Sequence, residues 1–120
     1  MVKRALLRTP QGMAACVSAC LAIYDVTDGF PRDERFGLTS QLRRAGFSVA
    51  ANIAEGAAKR GRKEFRRFLD IALGSITEIE VGLRIARDRE YITRERWAEV
   101  ERLRNHCGVI LWKLYQSMSD

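Results

Sequence analysis

Proline is scarce in this chain, with only Pro10 and Pro31, and the β-branched and aromatic residues never cluster in alternating runs. Both absences argue against sheet and favour helices joined by brief turns. Long apolar runs are missing too. The stretch from Ala45 to Ala58 is interrupted by Asn52 and Glu55, and nothing approaches the roughly 20 uninterrupted apolar residues of a membrane span, so no membrane association is expected. Nor is a signal peptide: Lys3, Arg4 and Arg8 are followed by Thr9, Pro10, Gln11 and Gly12 rather than by an apolar segment. The three cysteines, an odd number at apolar positions, fit reduced thiols better than a disulfide framework and make the cytoplasm the expected location.

Catalytic constellations are also lacking. Ser48, Asn52 and Glu55 share one helical face at i, i+4 and i+7, with Glu78 and Glu80 on the next helix, but no cleft is signalled that would hold a substrate between carboxylates. Cys16 and Cys20 at i, i+4, with His106 and Cys107, supply four possible zinc ligands. Adjacent helical residues diverge by about 100°, however, so His106 and Cys107 do not face one ion together, and no Cys-x-x-Cys spacing occurs. The same divergence weakens a Cys-His nucleophile, which also lacks an orienting partner and an oxyanion hole. No enzyme, metal or cofactor is expected, and the chain reads as a binding protein.

What is present suits one compact all-α domain. The chain has 120 residues, 47% of them hydrophobic, which is enough for a single core. Helical periodicity predicts four helices, at about 11–28, 39–58, 62–90 and 93–117. The first has Met13, Val17, Cys20 or Leu21, and Tyr24 as its stripe and stops at Gly29, before Pro31; Thr39 is the expected N-cap of the second. The third presents Phe65, Phe68, Leu69, Ala72, Ile76, Ile79, Leu83 and Ala86. The fourth opens at the N-cap Thr93 and carries Trp97, Val100, Leu103, Cys107, Ile110, Leu111 and Leu114. Short links between long amphipathic helices predict an antiparallel up-down-up-down bundle.

Two features point to what the bundle touches. The second helix is small and apolar nearly all round, with Ala45, Ala50, Ala51, Ala54 and Gly56, so self-association would bury the surplus face; shelter by long neighbouring side chains is the alternative. Its polar trio is expected to be structural, with Asn52 and Glu55 bonding to the facing helix near Ser75 and Glu78. The second feature is charge. The formal net charge is +6, and residues 57–67 hold six cations, Lys59, Arg60, Arg62, Lys63, Arg66 and Arg67, against Glu64 alone. A solvated turn that keeps the protein soluble is the ordinary reading of such a run, and a phosphate-binding surface is the functional one.

The string "FPRDERFGLTSQLRRAGFSVAANIAEGAAKRGRKEFRRFLDIALGSITEIEVGL" resembles the signature of the four helix bundle protein family, also called the ribosomal RNA intervening-sequence protein family. The matching positions are Phe30, Pro31, Glu34, Gly37, Leu38, Thr39, Gln41, Arg43, Arg44, Asn52, Ile53, Ala54, Glu55, Gly56, Glu64, Phe65, Gly74, Ser75 and Glu78. Gly46 and Phe47 replace the usual small pair after the double arginine. The resemblance implies a subunit that assembles into a ring-like homopentamer. Some relatives are encoded in ribosomal RNA inserts, and others are the accessory variability proteins of diversity-generating retroelements, basic pentamers that bind nucleic acid and partner a reverse transcriptase.

With that resemblance the basic segment is expected to bind DNA or RNA through Lys59, Arg60, Arg62, Lys63, Arg66 and Arg67, joined by Arg43. No helix-turn-helix, zinc finger or aromatic stacking platform is seen beside these cations, so recognition is expected to rest on charge and shape. Pairing with carboxylates within the bundle or across a subunit boundary is the alternative for Arg43 and Arg44, and Arg44 is assigned to it. The competing class is a structural or protein-binding scaffold whose cations serve solubility.

Overall fold

The computed structural model describes residues 10–118, with side chains from Gly12 onward; the N-terminal cations Lys3, Arg4 and Arg8 lie outside the described residues. Among these the chain is all-α. Helix α1 spans Pro10–Thr27, α2 Leu38–Ala58, α3 Arg62–Asp88 and α4 Arg94–Ser117, with one 3-10 turn at Arg32–Glu34. Each helix packs on its neighbour in sequence, and α4 closes on α1. None of the described helices is long and apolar enough to cross a membrane.

The stripes of α2 and α3 form the centre of the core as their spacing predicts. Leu42, Ala45, Val49 and Ile53 of α2 meet Phe65, Leu69, Ala72, Ile76, Ile79, Leu83 and Ala86 of α3, all buried. The approach is close where glycine permits it. A Cβ on Gly56 would lie 2.6 Å from Phe68 Cβ and 3.0 Å from Phe65 Cδ1, and one on Gly82 would lie 2.6 Å from Leu42 Cδ2. Gly56, which the sequence offered to a subunit contact, is therefore used inside the bundle. Helix α4 adds Val100, Cys107, Leu111 and Leu114, while Trp97, Leu103 and Ile110 are half-buried at the edges of its stripe.

The first helix departs from its expected stripe. Val17, Leu21 and Tyr24 are exposed, and Cys16, Ala19, Ile23 and Val26 face the core. Apolar residues surround α1 almost completely, so periodicity does not single out one face, and packing selects the side with smaller residues. Gly46 of α2 lies against that side, where a Cβ would come 3.2 Å from Ile23 Cδ1 and 3.6 Å from Cys20 Cα.

Helix ends explain the remaining differences. Thr39 is not the N-cap of α2: it lies within the helix and is buried, and Gly37 holds the cap position without a side-chain bond. Glu34 takes over the capping role, its Oε1 accepting the Leu38 amide at 2.9 Å while its Oε2 accepts the Tyr91 hydroxyl at 2.9 Å. These bonds, the Leu38 amide first, hold the Glu34 carboxyl below the usual carboxylate range. The same contacts tie the α1–α2 connection to the α3–α4 turn, where Phe30 and Tyr91 pack with ring centroids 5.6 Å apart. Helix α3 closes with Glu90 left-handed at φ 62°, its amide bonded to Arg87 O and that of Tyr91 to Ala86 O, the paired bonds of a Schellman end. Gly29 plays no comparable part, because Gly61 is the only positive-φ glycine among the described residues. Thr93 caps α4 as expected, accepting from the Arg96 amide at 3.1 Å.

The tight α2–α3 contact makes a prediction with an internal control. Gly56→Ala is expected to destabilise the fold by about 1 to 3 kcal/mol through overpacking, whereas Gly74→Ala, with nothing within 4 Å of its Cβ, is expected to stabilise α3 by roughly 0.5 to 1 kcal/mol. Urea denaturation of both variants measures the pair; equal midpoints would show that α2 and α3 do not need this approach.

Candidate nucleic-acid interface

The basic turn is built by two backbone steps at the end of α2. Lys59 takes an extended conformation with its amide bonded to Gly56 O at 3.1 Å. Gly61 then adopts φ 89° with open space around its Cβ position, a left-handed conformation that only glycine takes without strain. The chain reverses over residues 59–61 and α3 starts at Arg62. Gly61 has no side chain to cap with, and the first turn of α3, the positive end of its dipole, begins among the cations.

The side chains follow from that geometry. Lys59, Arg60, Arg62, Lys63 and Arg67 are exposed, and Arg66 is half-buried. Arg67 has one carboxylate partner, Glu64, at 3.6 Å. Aromatic rings support three of the six: the Arg67 guanidinium lies 4.7 Å and the Lys59 ammonium 5.8 Å from the Phe68 centroid, and the Arg66 guanidinium lies 4.6 Å from that of Tyr115. Arg62, Lys63, Arg66 and Met118 line a cavity of about 420 Å³ at this end of the bundle. Such an arrangement can hold a phosphate group by charge-assisted hydrogen bonds.

Arg43 does not belong to this surface. It stands sixteen residues up α2 from Lys59, about 24 Å along the helix, and is already engaged. Its Nε donates to Thr27 Oγ1 at 2.8 Å, it pairs with Asp28 at 2.9 Å, and its guanidinium lies 4.9 Å from the Tyr24 ring centroid. Arg43 thus fastens the end of α1 to α2. Arg44 is exposed and bonds to Gln41 rather than to a carboxylate.

The expected polar network is smaller than its six members. Ser75 Oγ donates to Ser48 Oγ at 3.0 Å across α2 and α3, and Asn52 Nδ2 donates to Ser48 O and Oγ at 2.8 and 2.9 Å. It is Ser48, not Asn52 or Glu55, that reaches the facing helix. Glu55 and Glu78 lie on exposed faces outside this cluster.

Two features were not foreseen. Arg104 is buried within the α4 stripe, its guanidinium gripped by both Glu101 oxygens and 3.9 Å from Glu80. The spacing of Val100, Arg104, Cys107 and Leu111 carries that signal, because an arginine occupies an apolar position and has a glutamate three residues before it. The second is an aromatic pair beside the cations: Trp112 and Tyr115 stack with centroids 5.6 Å apart and planes 13° from parallel.

The cysteines divide differently from any ligand set. Cys107 donates to Cys16 with the sulfurs 3.0 Å apart in the core, while Cys20 is half-buried and His106 is exposed. The hydrogen bond to Cys16, together with burial, pushes the Cys107 thiol up. Among the described residues no three His, Cys, Asp or Glu side chains converge on a metal position.

The fold has a known counterpart. A crystal structure of a protein of unknown function from the S23 ribosomal protein family of Bacteroides thetaiotaomicron superposes with a TM-score of 0.81, at 23% identity, over 97% of this chain and 99% of that one. At that identity the likeness shows the fold. No curated protein matches the sequence. The model of the 23S rRNA-intervening sequence proteins matches residues 13–113, which reach into all four helices, and the chain belongs to that family.

Proposed function

We propose that this protein is a non-catalytic, homo-oligomeric nucleic-acid-binding protein that grips the phosphate backbone with the turn between α2 and α3. The concentration of six cations around the start of α3, at one end of the bundle, carries the reading. Contacts of this kind fix a backbone in place without reading sequence.

The cross-helix pairs Gly56 with Phe68, Ser48 with Ser75, and Leu42 with Gly82 support an up-down course for α2 and α3, and Arg66 with Tyr115 and Arg87 with Trp97 do so for α3 and α4. In an up-down-up-down subunit the basic turn is an end surface, and a ring, pentameric by family resemblance, repeats it around one mouth. Ribosomal RNA, which the family's name associates with these proteins, or a retroelement reverse transcriptase working on nucleic acid in the cytoplasm, is a setting this surface suits.

The scaffold reading has its own observation. Phe47 is 63% exposed, and Phe47, Ala51 and Ala54 share a face of α2 at i, i+4 and i+7, a surface suited to another copy of the chain. Phe47→Glu is expected to lower the particle mass measured by light scattering while the helical circular dichroism is kept; an unchanged mass would take this face out of the assembly.

Replacing Lys59, Arg60, Arg62 and Lys63 together by glutamine is expected to remove binding of labelled DNA and RNA at physiological salt and leave the particle mass unchanged. In the parent protein, log affinity for duplex DNA should fall with log salt at about −0.9 per neutralised phosphate. Affinity retained by the quadruple variant at equal salt would move the binding face elsewhere and favour the scaffold.

A further inference from the structure

We infer that the same end of the bundle also holds an unpaired base, stacked on Trp112 at the mouth of the groove between α3 and α4, so that the ligand is single-stranded nucleic acid. This rests on the reading of the basic turn as a phosphate-binding surface.

Trp112 is 50% exposed although it is among the largest apolar side chains of the protein. It is also ordered by its neighbours. Its ring stacks on Tyr115, and Tyr115 lies under the Arg66 guanidinium, so a row of π surfaces leads from the basic turn onto α4. Next to Trp112 lies a groove of about 530 Å³ whose wall includes Leu73, Ile76, Gly108 and Val109. Lys113 lines it as a further cation, Asp70 as an anion, and Arg104, already held by Glu101 and Glu80, as a paired guanidinium.

That distribution of charge separates the parts of the ligand. With Arg104 offset by Glu101 and Glu80, the Asp70 carboxylate disfavours a phosphate in the groove and leaves a neutral, flat group as the fitting occupant, while Lys113, Arg66, Arg62 and Lys63 receive the phosphates on either side. Amide side chains of Asn105 and Gln116 in the same groove can meet the polar edge of a base. A duplex presents no base face without unstacking, and a polyanion without bases gains nothing from an indole. An exposed, stacked tryptophan beside a phosphate surface therefore selects for unpaired strand.

Trp97, the other of the two tryptophans, makes the test direct. It sits fifteen residues earlier on α4, about 22 Å away along the helix. Its buried Nε1 has no hydrogen-bond partner among the described residues, so Trp97→Phe removes an unsatisfied group and leaves Trp112 as the sole indole. The Trp97→Phe protein is titrated with a single-stranded oligothymidylate, with a duplex of equal length and with inorganic polyphosphate. The single strand is expected to quench Trp112 fluorescence, and the other two are not. Trp112→Ala is expected to weaken oligothymidylate binding by about 10-fold with polyphosphate affinity unchanged, and Trp112→Phe to restore most of the loss. Equal quenching by all three ligands, equal weakening of all three, or a saturating oligothymidylate signal without quenching would overturn the stacked base while leaving the phosphate surface in place. No binding of any of the three, polyphosphate included, would overturn both readings.

Discussion

The close approach of α2 to α3 is the constraint on which the rest of the structure depends. Gly56 admits Phe65 and Phe68 near one end of the contact, and Gly82 admits Leu42 near the other, so separation and register are fixed at two widely spaced points. Between them the Ser48–Ser75 hydrogen bond crosses a seam of alanine, valine and isoleucine. A shifted register would leave these partly buried hydroxyls without each other, at a cost of about 1 to 3 kcal/mol for each group left unsatisfied. With the register fixed, residues 59–61 turn at the end of the α2–α3 pair, and most of the cations around them are exposed.

Three other charged side chains of the bundle are fastened to partners in other segments. Arg43 is bound to Thr27 and Asp28, Arg104 to Glu101 and Glu80, and Glu34 to the Leu38 amide and Tyr91. Each of these pairs joins two segments: α1 with α2, α4 with α3, and one connection with another. An arginine buried as deeply as Arg104 is tolerable only with its carboxylate partners in place, so it ties α4 to α3 at a defined height. The basic turn contrasts with them, having Glu64 as the one carboxylate within its run.

How far this was legible in the sequence depends on how much each residue's neighbours constrain it. The α3 stripe was legible because polar residues flank it and leave one apolar face; on α2, apolar nearly all round, Leu42, Val49 and Ile53 still recur at helical spacing among the small residues. On α1 nearly every face is apolar, so the pattern carried too little contrast, and the buried side was decided by the small surface of Cys16, Ala19 and Gly46. Thr39 looked like a cap because threonine caps helices in general, but the cap was supplied by Glu34, whose position depends on Tyr91 from a distant turn. Which carboxylate Arg43 pairs with was hidden for the same reason: its partners Thr27 and Asp28 precede it by a whole connection. The cations of the turn were legible as a run, but the Trp112–Tyr115 pair was not tied to them, because only folding brings Tyr115 to Arg66.

That last contact changes what the charge run can do. Lysine and arginine on an unsupported turn must be ordered when an anion binds, and each long side chain so fixed costs on the order of 0.5 to 1.5 kcal/mol. Here Arg67 and Lys59 rest on Phe68, and Arg66 rests on Tyr115, so part of that ordering is already done in the fold. A guanidinium lying over a ring still donates from its in-plane edge, the edge that matches a phosphate oxygen pair. Phe68 is buried by α2 through Gly56, so the contact that sets the register of the bundle also sets the floor beneath two of its exposed cations. Packing and charge at this end are one arrangement, and a change to either is felt by the other.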